Sequence, residues 1–182
     1  MLVPFSGRKK ALLVVDVQPV FAAGAGKALR CIGGLLSKAP YDMYVEALFH
    51  AERGSLWDRQ QGWICPKGGN FRTCKNVSAL LKGRNTIRVV KTARSVFKGK
   101  KGLYGLLRKR GIREVHIIGF ETNDCVLATA FESFDLGFHT YVLEECCGSG
   151  NSVALHKSAL KLLRAQNMTN NSCGEKIRFT KI

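Results

Sequence analysis

A chain of 182 residues, 46% hydrophobic and 23% charged, has the length and composition of one globular domain. It is long enough to bury a core without disulfide or metal staples. Its apolar runs are too short for a membrane span, and its composition excludes disorder, collagen and coiled coil. The formal net charge is +16.

In chain order, residues 11–17 (ALLVVDV) read as a first strand that ends near an acid, and residues 27–37 suit a helix. Residues 43–49 (MYVEALF) suit a second strand. Residues 52–71 are rich in glycine and polar side chains and read as an irregular excursion. A short helix over 76–81 precedes a third strand at 86–91 (TIRVVK). Residues 103–110 (LYGLLRKR) form a basic helix closed by Gly111, and 114–119 (EVHIIG) a fourth strand. Residues 124–136 read as helical, with Val126, Ala130 and Phe134 on one face. A fifth strand over 138–143 (FHTYVL) and an amphipathic helix over 152–166 follow, and 176–181 (KIRFTK) completes the pattern as a sixth strand.

Apolar strands alternating with helices imply parallel strands covered on both faces. With right-handed crossovers, the expected fold is a single α/β domain over residues 1–182. It is a three-layer α/β/α, doubly wound, mostly parallel, Rossmann-like sheet of about six strands. Sites in such sheets lie at the carboxyl ends of the strands. That rule selects Asp16 after the first strand, Lys91 at the end of the third, and the turn 120–125 after the fourth.

These residue types suit covalent catalysis. Cys125 at a helix start, beside a lysine ammonium, is expected to be shifted toward the thiolate. Asp16 can accept its proton and return it to a leaving group, and turn N–H groups can hold an oxyanion. The plainer reading of each residue alone is a packed cysteine and a capping aspartate.

The charge is segregated. Residues 59–113 carry 16 lysines and arginines and no acid, while the remaining 13 cations match 13 acids. Such a segment is either a solvated face or a field for a polyanion. An RNA or an acidic protein is the partner that the second reading implies, through Lys98, Lys100, Lys101, Arg108, Lys109, Arg110 and Arg113. Seven cysteines, an odd count without zinc-finger spacing, suit thiols in a reducing intracellular compartment. The cytoplasm is the expected location and the mitochondrion the alternative. No secretory signal is expected at the start.

The sequence resembles the isochorismatase-like cysteine hydrolases, which include nicotinamidases, N-carbamoylsarcosine amidases and isochorismatases. The resemblance runs over residues 10–166. It rests on Asp16-Val17-Gln18-Pro19-Val20-Phe21 (D-x-Q-x-x-F) and on Lys91-Thr92-Ala93-Arg94-Ser95-Val96-Phe97 (K-x-x-x-S-x-F). A third motif runs from Gly119 through Thr122, Cys125 and Val126 to Thr129-Ala130 (G-x-x-T-x-x-C-V-x-x-T-A), and His156 with Ala159-Leu160 fits a later H-x-x-A-L.

The resemblance implies that Cys125 is the nucleophile, Asp16 the base and then the acid, and Lys91 the electrostatic partner. It also implies a cis peptide between Phe120 and Glu121, with the N–H groups of Glu121 and Cys125 as oxyanion hole. From the residues themselves, Phe21, Trp57 and Trp63 either line a substrate pocket or pack in the core, and Ser95 and Phe97 are further candidates for substrate binding. The substrate is a small amide or ureido compound, and the chain is a homo-oligomer or part of a larger assembly. Two departures stand out. Nicotinamidases carry a D-x-H…H metal set after the second strand, whereas this stretch has His50 without a partner, so neither metal nor cofactor is expected. Glu121 places an anion beside the hole, which opposes oxyanion formation unless Arg94 or another cation neutralises it.

Overall fold

The computed structural model describes residues 2–5, 7–66, 68, 71–172 and 178–181; Lys67, Cys173 and Lys176 of the readings above lie outside them. Strands β2 (Lys10–Val15), β3 (Met43–Phe49), β4 (Thr86–Lys91), β5 (Glu114–Phe120) and β6 (His139–Gly148) form one parallel sheet in the order β4-β3-β2-β5-β6. Strand order reverses at β2, so the crevice of the doubly wound sheet opens beyond the carboxyl ends of β2 and β5.

Strands in this sheet have neighbours on both faces, so their sequences are continuous apolar runs. Alternate side chains of β2 serve opposite layers. Leu13 and Val15 join one cluster with Leu103, Leu107, Val126, Ala130 and Leu163. Leu12 and Val14 join the other with Ile32, Leu35, Leu36, Val77 and Leu81. After the short helix α1 (Pro19–Ala22), helices α2 (Gly26–Lys38) and α4 (Lys75–Leu81) therefore cover one face. Helices α5 (Leu103–Lys109) and α6 (Leu127–Asp135) cover the other, joined by α7 (Val153–Ala165). In α2 the buried residues Ala28, Ile32, Leu35 and Leu36 follow helical spacing, and each large one contributes about 1.5–3 kcal/mol on burial.

Four elements differ from the sequence reading. The excursion over 52–71 contains a helix, α3 (Leu56–Gln61), whose start is capped by Ser55 Oγ accepting from Asp58 N–H. Its end is closed by Gly62 in the left-handed region. The fifth strand runs on to Gly148 through a shift in register between Ile117 and Gly119. This extension carries two acids in strand, and Glu144 is held there by an ion pair with Arg164 of α7. The sixth strand does not join the sheet. Its described part, β7 (Arg178–Lys181), pairs antiparallel with β1 (Leu2–Phe5). Finally, the helix expected from residue 124 opens earlier, as a wide π-type turn over Thr122–Val126 that leads into α6. Among the described residues, no helix is long and apolar enough to cross a membrane.

Candidate active site

The sheet brings Asp16, Lys91 and Cys125 together. Asp16 follows β2, Lys91 closes β4 and Cys125 lies in the turn after β5. Lys91 extends past the end of β3, with Nζ 5.0 Å from the centre of the Phe49 ring. Its ammonium has three donors, and all are used: Asp16 Oδ2 at 2.7 Å, Ala93 O at 3.1 Å and Cys125 Sγ at 3.3 Å. Asp16 Oδ1 is buried and makes no hydrogen bond.

The backbone is shaped for this convergence. Asp16 sits at φ 49°, a region that non-glycine residues rarely occupy. Gly119 has φ 120°, and a Cβ there would stand 2.0 Å from Val15 O. This glycine lets β5 approach β2 beside the crevice. The Phe120–Glu121 peptide is cis. Glu121 O accepts from both Asp124 N–H and Val126 N–H, which closes the wide turn around Cys125. Helix α7 braces that turn through a 3.0 Å hydrogen bond between His156 Nδ1 and Thr122 Oγ1.

The electrostatics follow from burial. Burial pulls the Lys91 ammonium down, but Asp16 and Cys125 outweigh it and leave it raised. Burial lifts the Asp16 carboxyl against the pull of Lys91. Burial first, then the Asp16 charge, push the Cys125 thiol well above its usual value, although Lys91 opposes them. The expected thiolate is thus replaced by a thiol beside an ion pair. Cys125 lies within a buried π-type turn next to a carboxylate, and the dipole of a helix end does not offset those two effects.

Above Cys125 lies a cavity of about 420 Å³ lined by Phe21, Phe49, Trp57, Trp63, Glu121 and Asn151, among others. The four aromatic rings pack as a continuous wall with neighbouring centres 4.9 to 6.3 Å apart. Phe21 and Trp57 both line the cavity, and Trp57 Nε1 is fixed by donation to Thr92 O at 2.7 Å. Ser95 and Phe97 are not in this wall. Ser95 caps a short 3-10 turn by accepting from Phe97 N–H, and Phe97 stacks on Phe138 within the core. Their spacing from Lys91 serves packing.

Arg94 is not the cation that meets Glu121. It pairs with Asp124 and covers the Trp57 ring at 4.5 Å, so it does not neutralise Glu121. Glu121 Oε1 instead accepts from Gly150 N–H at 3.2 Å, while Oε2 is buried and makes no hydrogen bond. Burial raises the Glu121 carboxyl, and its backbone partners hold it back.

Gln18 has no role in the sequence reading beyond its place in the first motif. Its buried amide donates to Phe49 O at 3.1 Å and accepts from Phe49 N–H at 2.8 Å, which locks the end of β3 against the Asp16 turn. A glutamine two residues after the acid is the available signal. Phe49, Gly150 and Asn151 enter the cavity from strand and loop ends whose sequences carry no mark of it.

His50 lies 3.7 Å from Glu52 Oε1 and edge-on to Phe71. Among the described residues, no three His, Cys, Asp or Glu side chains gather to hold a metal ion, so the donors do not fit the nicotinamidase metal set.

Several cations of the basic segment are engaged within the molecule. Lys91 and Arg94 belong to the site, Arg88 pairs with Glu46, and Lys98 pairs with Glu132. Lys100 and Lys101 precede α5, whereas Arg108, Lys109, Arg110 and Arg113 lie at its far end. There Arg108 covers the Phe138 ring, and the Arg113 guanidinium donates to the carbonyls of Ile112 and Arg108.

Comparison with known proteins gives a concordant result. The isochorismatase domain model matches residues 10–172. A nicotinamidase/pyrazinamidase of Mycobacterium tuberculosis is 30% identical over 186 residues, covering 87% of this chain and 96% of that protein. A maleamate amidohydrolase of Pseudomonas putida is 26% identical over 161 residues, covering 80% and 75%. Among solved structures, a nicotinamidase of Bacillus subtilis superposes with a TM-score of 0.71 at 25% identity, over 86% of this chain and 94% of that one.

Proposed function

The chain belongs to the isochorismatase family of hydrolases, and on that premise we propose that it is a cysteine hydrolase of a small, planar amide or ureido compound. The observation that carries this reading is the buried Lys91 ammonium, 2.7 Å from Asp16 and 3.3 Å from Cys125, the cysteine that lines the cavity.

In the proposed cycle, Cys125 Sγ attacks the substrate carbonyl carbon while its proton passes to Asp16. The high thiol makes this transfer concerted with attack, so no free thiolate has to form first. The oxygen of the tetrahedral intermediate accepts from the N–H groups of Glu121 and Cys125. Asp16 then gives its proton to the leaving nitrogen, the C–N bond breaks, and an amine or ammonia departs. Water, deprotonated by Asp16, hydrolyses the thioester and restores the thiol. Lys91 stays an ammonium throughout and stabilises the ionised Asp16 each time it is ready to accept a proton, first from Cys125 and later from water.

The aromatic wall selects a flat body, and about 420 Å³ accommodates a molecule of roughly ten to fifteen heavy atoms. Glu121 lines the cavity beside Cys125, and its carboxylate is the acceptor for an N–H on that body. The names of the relatives supply the first probes: nicotinamide, pyrazinamide and maleamate. The test is ammonia or amine release from these and from a wider set of planar amides and ureides. Turnover that disappears in Cys125→Ala supports the reading. Turnover that persists in that variant, or no turnover across the set, overturns it.

A further inference from the structure

Two cysteines outside the proposed active site are placed for joint chemistry. Cys31 lies on α2 and is half-buried, and Cys146 lies on the extension of β6 and is buried. They are 115 residues apart in sequence, yet Cys146 donates its S–H to Cys31 Sγ at 2.8 Å. A disulfide needs about 2.05 Å between sulfurs, so bond formation requires a movement of under about 1 Å. Neighbouring Cys147 is excluded as the partner. Successive strand residues face opposite layers, and Cys147 packs in the cluster away from α2.

We propose that Cys31 and Cys146 form a dithiol site that hydroperoxides convert to an intramolecular disulfide. Cys31 is the attacking sulfur, since it reaches the surface of α2 and accepts the Cys146 proton in its hydrogen bond. Its thiol is lowered mainly by that hydrogen bond, with Lys27 adding to the effect. The sulfur attacks the terminal oxygen of the hydroperoxide. The O–O bond breaks, an alcohol or water leaves, and Cys31 becomes a sulfenic acid. Cys146 then attacks the Cys31 sulfur, the S–OH bond breaks, and water departs with the Cys146 proton. Two thiols and one hydroperoxide thus give one disulfide, one water and one alcohol or second water.

The position bears on the cavity. Two residues beyond Cys146 the strand ends at Gly148, and the next turn supplies Gly150 and Asn151 to the cavity wall. Helix α2 follows the segment that carries Phe21. A disulfide here ties together two chain segments that each lead into residues lining the cavity, while leaving Cys125 untouched.

The test is peroxide treatment of the full chain, alkylation of the remaining thiols, non-reducing digestion and mass spectrometry. The expected product is the peptide spanning residues 31–38 joined to the fragment containing Cys146, with loss of two hydrogens and two alkylatable thiols per chain. It forms unchanged in Cys147→Ala and Cys125→Ala and is absent in Cys31→Ser and Cys146→Ala. Near-UV circular dichroism confirms that each variant is folded, and the half-buried position of Cys31 makes its variant decisive if Cys146→Ala does not fold. A cross-link that moves to Cys147, or peroxide that leaves Cys31 alkylatable or drives it to the sulfinic acid without cross-linking, overturns the proposal. Neither result depends on whether the chain hydrolyses an amide.

Discussion

Lys91 Nζ lies 2.7 Å from Asp16 Oδ2, and both side chains are sealed from solvent. An ion pair in that setting is costly to half-remove, because the partner left behind is a buried unpaired charge. Lys91→Met is therefore expected to destabilise the fold by about 3–5 kcal/mol, as is Asp16→Leu. The double variant is expected to recover part of this, since neither charge remains. Urea denaturation of the four proteins measures the coupling. Additive single effects would contradict the pairing.

The same pair sets the reactivity of Cys125. Its thiol is raised by burial and then by Asp16, whereas Lys91 favours the thiolate. At pH 7, iodoacetamide is expected to label Cys31 before Cys125, and the Cys125 rate is expected to climb as pH rises. Asp16→Asn removes the anion and leaves the ammonium, so Cys125 alkylation at pH 7 is expected to quicken while hydrolysis is lost. Slower alkylation in that variant would show that Asp16 activates the resting thiol instead of accepting its proton during attack.

Glu121 offers a separate handle on specificity. Glu121 lines the cavity, its Oε2 makes no hydrogen bond, and Arg94 is committed to Asp124. Glu121→Gln keeps the shape and removes the charge. The amide still accepts a hydrogen bond, and the difference between a charged and a neutral one is about 1–1.5 kcal/mol, so KM for a substrate with an N–H opposite the scissile bond is expected to rise about five- to tenfold. KM for a matched substrate lacking that N–H is expected to change little. Equal effects on both would place Glu121 outside recognition.

How much of this is legible in the sequence depends on what each residue is asked to do. The strands are legible because a sheet covered on both faces leaves little room for polar side chains. The strand-end rule then brings Asp16, Lys91 and Cys125 to one crevice. What fails is inference about which side chains face a cavity. Ser95 and Phe97 share a motif with Lys91, but the turn after β4 rotates them into a cap and a core contact. Arg94 reads as one candidate neutraliser of Glu121, yet the wide turn brings Asp124 to it first. The continuation of β6 is hidden because Glu144 and Glu145 read as solvent-facing. Glu144 is held in strand by Arg164, a partner 20 residues away that no local pattern reveals.

Gly119 tests the backbone side of the site. Its φ of 120°, and the 2.0 Å that would separate an added Cβ from Val15 O, leave no conformation in which an L side chain fits. Val15 sits immediately before Asp16, so relieving the clash moves the base. Gly119→Ala is expected to cost about 3 kcal/mol or more in stability and to reduce turnover in whatever fraction folds. Thermal melting and active-site titration separate the two effects. A variant of unchanged stability would contradict the close packing of β5 on β2.

Far from the cavity, His116 makes stability depend on pH. The ring is buried, with Nε2 2.9 Å from Glu114 Oε1 and Nδ1 2.8 Å from Tyr41 Oη. Burial lowers its pKa despite the opposing Glu114, while Lys10 adds to the lowering. The neutral ring satisfies both contacts: Nε2–H donates to Glu114, and Tyr41 O–H donates to Nδ1. Because the folded value lies below the unfolded value of about 6.5, the unfolded chain binds the proton more readily. This contribution is therefore complete above about pH 6.5 and is lost as pH falls from there toward the folded value. His156, also lowered by burial, adds a slope of the same sign. In urea titrations between pH 5 and 8, the midpoint is expected to rise with pH, and His116→Asn is expected to flatten that rise without abolishing it. An unchanged slope would mean that the buried ring carries its proton in the fold and is an ion-pair partner of Glu114.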